Sequence, residues 1–128
     1  MRHRIIHYKS TTLFVLLLLF FSSSFAVNFP DKPPETDFFV DEANLISTED
    51  RAEINSIASK LLSEENIPLF IVTIGSLASQ EASSQTIETY ATALFNEWGI
   101  GSPERNYGIL LLVSRGDRRA RIELGADW

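Results

Sequence analysis

The 128-residue chain is read as a single α/β domain, an α/β/α sandwich with helices packed on a mixed β-sheet. Three observations predict it. Two stretches carry apolar residues at helical spacing, a β-branched and aromatic run lies between them, and two further apolar runs near the end are joined by a tight turn. The resulting order of regular elements is helix, strand, helix, strand, strand.

The first 26 residues hold Arg2, Arg4 and Lys9 and no acid, then an apolar run over residues 13–21, then small residues up to Ala26. This is the pattern of a secretory signal, with cleavage expected after Ala26. The run is short of the about 20 apolar residues that span a bilayer, so an uncleaved anchor is the alternative. Residues 27–37 contain Pro30, Pro33 and Pro34, which exclude helix and predict an extended linker. Phe38, Phe39 and Val40 bring the chain onto the body at the start of the domain, residues 38–128, and residues 41–44 form a turn.

Ser47 is placed to cap the first helix, with Glu49 and Asp50 in its first turn, where negative charge complements the dipole. Ile54, Ile57, Ala58, Leu61 and Leu62 follow at i, i+3, i+4, i+7 and i+8, which predicts one buried stripe ending near Asn66. Residues 67–74 are apolar enough to be buried on both faces and predict a central strand, closed by Gly75. The loop over residues 76–85 leaves the carboxyl end of that strand, where open α/β sheets bind ligands. A second helix places Ile87, Tyr90, Ala91, Leu94, Phe95 and Trp98 on one stripe, the spacing of core packing.

Gly99 and Gly101 suit the positive φ that stops a helix. After a polar loop, residues 109–113 predict a buried strand and Arg115-Gly116-Asp117 a turn. Arg119, Arg121 and Glu123 then alternate with Ala120, Ile122 and Leu124, the period of a strand with one wet face, completing a β-hairpin.

Composition removes several chemistries. The chain has no cysteine, and its two histidines, His3 and His7, lie in the leader. After cleavage the domain has neither thiolate nor imidazole, which excludes Cys/His zinc, Ser-His-Asp catalysis and a histidine phosphoenzyme. Loss of Arg2, Arg4 and Lys9 also takes the net charge from −6 to −9. That balance disfavours nucleic acid and anionic membrane surface and favours metal cations or basic partners. Carboxylates are then the leading candidates for chemistry, because calcium and magnesium take oxygen ligands.

The chain resembles the TPM domain family. The resemblance runs from Phe39-Val40-Asp41-Glu42-Ala43-Asn44-Leu45-Ile46-Ser47, which looks like the family's V-x-D-x-A-x-x-L-S opening. It continues through the helix ending at Trp98, the Trp98-Gly99-Ile100-Gly101 turn, Asn106-x-Gly108, and Asp117-Arg118-Arg119 before Arg121-Ile122-Glu123. The family usually continues past the position of Gly125, so the resemblance implies a domain cut at its C-terminal side. It also implies weak metal-assisted acid phosphatase activity on a phosphomonoester, with calcium or magnesium held by an acidic cluster. Matching positions are Asp41 and Asp117, the catalytic and metal candidates, with Glu123 and Asp127 as further metal candidates. Ala126 departs from the family's commoner glycine there.

Each candidate also has a plain structural reading. Asp41 suits an Asx-turn and Asp117 a hairpin turn. Glu123 suits pairing with Arg119 or Arg121, and Asn106 a loop cap. Arg118, Arg119 and Arg121 suit either a phosphate or a solvated strand face. A second functional reading is therefore a non-enzymatic accessory module for assembly, repair or regulation of a membrane protein complex. In both readings the domain is exported to a periplasmic, extracytoplasmic or secreted location. A membrane-anchored envelope protein is a third.

Overall fold

The computed structural model describes residues 26–128, so the signal expected over residues 1–26 lies, but for Ala26, outside the described residues. Among the described residues no helix is long and apolar enough to cross a membrane. Four strands pair in chain order: β1 (Phe39–Asp41), β2 (Leu69–Ile74), β3 (Ile109–Ser114) and β4 (Arg119–Leu124). β1, β2 and β3 are parallel and β4 is antiparallel to β3, giving the mixed sheet with β2 at its interior. The crossovers are α1 (Thr48–Glu65) and α2 (Ile87–Glu97), with a 3₁₀ turn at Ala78–Gln80 between β2 and α2. β1 is an addition to the expected order. Three residues leave too little alternation to read as a strand, and it exists because β2 pairs with it.

The helix signals hold. Ser47 accepts from the Asp50 amide at the start of α1, and Asn66 closes that helix in the left-handed region. Thr86 caps α2 in the same way, and Gly99 (φ +60°) and Gly101 (φ +101°) turn the chain away from its end.

Strand register decides which residues meet. Phe70 lies opposite Leu110, and Leu110 opposite Glu123, so Phe70, Val72, Ile74, Leu110 and Leu112 share a face. α2 covers that face with Ile87, Tyr90, Ala91, Leu94, Phe95 and Trp98, all buried. The other face carries Asp41, Ile71, Thr73, Leu111, Ile122 and Leu124. α1 covers it only over β1 and β2, where Arg51 reaches Asp41 and its guanidinium lies 5.4 Å from the centre of the Phe39 ring.

Two expectations about packing change as a result. Of the α1 stripe only Ala58 is fully buried, while Ile57 is 55% and Leu62 38% exposed. On β4 the polarity is inverted: Arg119, Arg121 and Glu123 lie on the α2 side, and Ile122 and Leu124 are 58% and 47% exposed on the open side. The polar edge of α2 explains the first half of that inversion, since the Thr92 hydroxyl donates to Glu123 Oε1 at 3.0 Å.

The proline-rich segment is extended but is no free tether. Val27 and Phe29 pack on the core, and the Phe29 ring lies 5.2 Å from that of Tyr90. The Tyr90 hydroxyl donates to the Asn28 carbonyl and Trp98 Nε1 to the Pro30 carbonyl, while Lys32 Nζ donates to the Trp98 carbonyl. Prolines that cannot join a helix here form a strap laid across α2.

Candidate functional site

The carboxyl ends of β1, β2 and β3 bring Asp41, the loop after Gly75 and the β3–β4 turn to one edge of the sheet. Asp41 closes β1, and its side chain is only 1% exposed. Its Oδ1 accepts from the Leu45 amide (2.9 Å) and the Thr73 hydroxyl (2.6 Å), and its Oδ2 from the Ile46 amide (3.1 Å) and Arg51 Nη2 (2.9 Å). Both oxygens are thus committed to protein donors. Burial pushes the Asp41 pKa up, but the Thr73 hydroxyl, the two amides and Arg51 together hold it below the ordinary carboxylate value.

Asp117 sits in the four-residue turn between β3 and β4. Its Oδ2 accepts from the Ser114 hydroxyl (2.6 Å) and the Leu77 amide (2.7 Å), joining the turn to the loop after β2. The Ser114 hydroxyl, the Leu77 amide and nearby Arg119 hold its pKa below the ordinary value. It is an exposed carboxylate. Arg118, not Gly116, supplies the left-handed turn residue (φ 54°). Gly116 is required for a different reason: a Cβ there would lie 2.7 Å from the Gly75 carbonyl oxygen, which its own amide contacts. Gly116→Ala is expected to cost about 1–3 kcal/mol by forcing the turn off β2. Chemical denaturation reads this, and an unchanged midpoint would count against the close approach.

Glu123 and Asp127 lie elsewhere. β4 returns antiparallel, so Glu123 is opposite Leu110 and Leu124 opposite Ile109, near the amino ends of β2 and β3. Glu123 accepts from Thr92 and from Arg121, and Asp127 Oδ2 accepts from the Asn106 amide. The four sequence candidates therefore divide into two at one edge and two at the other. Asp41 and Asp117 are themselves separated by β2, with neighbouring strands about 4.8 Å apart. Among the described residues no three acidic or histidine side chains converge to hold a metal.

The structure adds individual residues of the loop after β2, a segment the sequence marks only as a whole. A cleft of about 360 Å³ beside Asp117 is lined by Leu77, Ala78, Ser83, Gln85 and Arg119. Gln85 Oε1 is buried and lacks a hydrogen-bond partner among the described residues. In the sequence Gln85 is one polar residue of a loop. The residue is half-buried and its Oε1 fully so, in a loop whose Leu77 and Ala82 are buried in the core. The cleft's donors are oxygens, the type that calcium and magnesium take, and Arg119 stands beside them.

Fold and site define an α/β domain with a carboxylate-bearing turn at the carboxyl edge of a mixed sheet. Residues 39–128 match the TPM domain, whose family is labelled TPM phosphatase. The chain belongs to the TPM domain family. It is similar to the solution structure of the N-terminal domain of a protein from P. gingivalis, at 28% identity and a TM-score of 0.60, covering 70% of this chain and 54% of that one. The N-terminal domain of the cg2496 protein from Corynebacterium glutamicum shares the fold at 18% identity and a TM-score of 0.58, covering 80% of this chain and 64% of that one. The chain thus spans less than two thirds of the length of either structure. No curated protein matches it.

Proposed function

We propose that this exported TPM domain binds a divalent cation, calcium or magnesium, in the cleft beside Asp117 and acts weakly on phosphomonoesters there. The observation that carries the reading is that the cleft lined by the Asp117 carboxylate is also lined by Gln85, whose buried Oε1 has no hydrogen-bond partner among the described residues. An orphaned amide oxygen costs free energy unless something accepts its lone pairs, and a hard cation does so.

Asp117, Gln85 and Ser83 would hold the ion. A bound divalent ion supplies polarisation of a phosphoryl oxygen and a more acidic water. Arg119, on the same cleft, would bind the anionic phosphate, as guanidinium groups do through paired donors. The Ser114 hydroxyl, the Leu77 amide and Arg119 lower the Asp117 pKa, which favours the ionised form that accepts a cation. Asp41, with both oxygens committed, acts as the lock of the β1–α1 connection and not in chemistry.

Titrating the protein with calcium or magnesium should raise its melting temperature. A ligand bound only to the folded state at about 100 times its Kd adds about 2.7 kcal/mol. Asp117→Asn and Gln85→Leu should each remove the rise and any aryl phosphate hydrolysis, while Asp127→Asn should leave both. A rise that survives both cleft substitutions would refute this placement.

A second reading draws on the open β3–β4 face. Exposed Ile122 and Leu124 on a sheet face are the kind of surface that a partner covers, which supports an accessory role at a membrane protein complex. Pull-down by the wild type but not by Ile122→Lys, with hydrolysis at background, would favour it.

A further inference from the structure

The free edge of β4 is complementary to itself. The Gly125 amide donates to the Gly108 carbonyl at 2.9 Å, which sets the alternation of the ladder. Residues 119, 121 and 123 then turn their backbone groups to β3, and Ala120, Ile122 and Leu124 turn theirs outward. Among the described residues no strand pairs with that outward row.

We propose that β4 pairs antiparallel with β4 of a second copy of this chain, on a two-fold axis through Ile122. Charge selects the register. The outward groups allow hydrogen-bonded pairing only between even-numbered residues, so the axis can pass through Arg121, Ile122 or Glu123. An axis at Arg121 sets two arginines face to face, and one at Glu123 sets two glutamates face to face; like charges directly opposite destabilise a sheet. The axis at Ile122 places Arg121 of each copy opposite Glu123 of the other, and Ala120 opposite Leu124. It also forms complete hydrogen-bonded pairs at residues 120, 122 and 124.

The side chains are already disposed for this. Arg121 and Glu123 lie on one face, where Arg121 is 42% exposed while bonding its own Glu123 at 3.1 Å, and its remaining donors can reach the second copy's carboxylate. Ile122 and Leu124, exposed in the single chain, become neighbours across the axis on the other face. Charged residues normally guard an exposed edge against pairing. Here the guards are of opposite sign and two residues apart, so they admit one register and reject the flanking ones. The product is a continuous eight-stranded sheet.

Sedimentation equilibrium of the whole chain tests this. The expected mass is twice the 14.4 kDa of one chain at tens of micromolar concentration. Arg121→Glu and Glu123→Arg should each raise the dimer Kd at least tenfold. Mixed together they should recover a heterodimer, because each glutamate then meets an arginine. Ile122→Pro removes an outward N–H without touching the β3 ladder, so far-UV circular dichroism should show a folded monomer. A wild type that stays monomeric, a dimer indifferent to Ile122→Pro, or charge variants that fail to recover on mixing would each overturn the proposal.

Discussion

Asp41→Ala is expected to destabilise the fold by about 3–5 kcal/mol, the range for breaking a buried, fully bonded ionic group. The carboxylate satisfies the Leu45 and Ile46 amides, the Thr73 hydroxyl and Arg51 at once, so its removal leaves four donors to find water or none. For a domain of about 100 residues each kcal/mol is worth about 4–8 °C, so the melting temperature should fall by at least about 12 °C. Asp41→Asn should cost less, because its amide oxygen still accepts at one end. The Asp41 pKa is lowered on folding, so its contribution is fully present above the unfolded value of 3.8 and is lost as pH falls through the lower folded value. The wild type should therefore lose stability below about pH 4, and Asp41→Asn should lose less over the same interval. Parallel acid titrations followed by circular dichroism decide this. Equal slopes would mean that the carboxylate is not held ionised by its donors.

Trp98→Ala should be comparable, at about 3–5 kcal/mol for truncating a buried tryptophan. Trp98 is 6% exposed, meets the Phe70 ring edge-on at 5.7 Å, and donates its Nε1 to the Pro30 carbonyl. Its loss empties part of the core and releases one anchor of the strap. Limited proteolysis should then cut within residues 27–34 at protease concentrations that leave the wild type whole. Trp98→Phe keeps an aromatic ring and removes the donor with part of the indole volume, so it should cost less than Trp98→Ala. If Trp98→Phe loosened the strap as much as Trp98→Ala, the Pro30 hydrogen bond and not the core would be holding it.

The legible elements are those with strong local signals. Ser47 caps its helix through a side chain that reaches three residues ahead, and the α2 stripe is broad enough that every member is buried. β2, apolar on both faces, could only be interior. The misread elements are those whose environment lies far away in sequence. Ile57, Ile122 and Leu124 sit at apolar positions of proper period, yet α1 spans only β1 and β2, leaving them open. The strap reads as a linker because prolines say what a segment cannot form and nothing of what it lies against.

The same division runs through the site. Asp41 and Asp117 are legible as turn carboxylates, and both are found in turns, each bonded to backbone amides. By itself the sequence determined the class of fold, the helix ends, the β2 core strand, the hairpin, and the absence of thiol and imidazole from the domain, because each rests on residue type or short-range periodicity. Tertiary structure alone decided the pairing of β1, the strap on α2, the inverted polarity of β4, the separation of the four carboxylates and the burial of the Gln85 Oε1. Those depend on which surfaces meet across the sheet, and a one-dimensional pattern carries the period of a face but not the identity of what covers it.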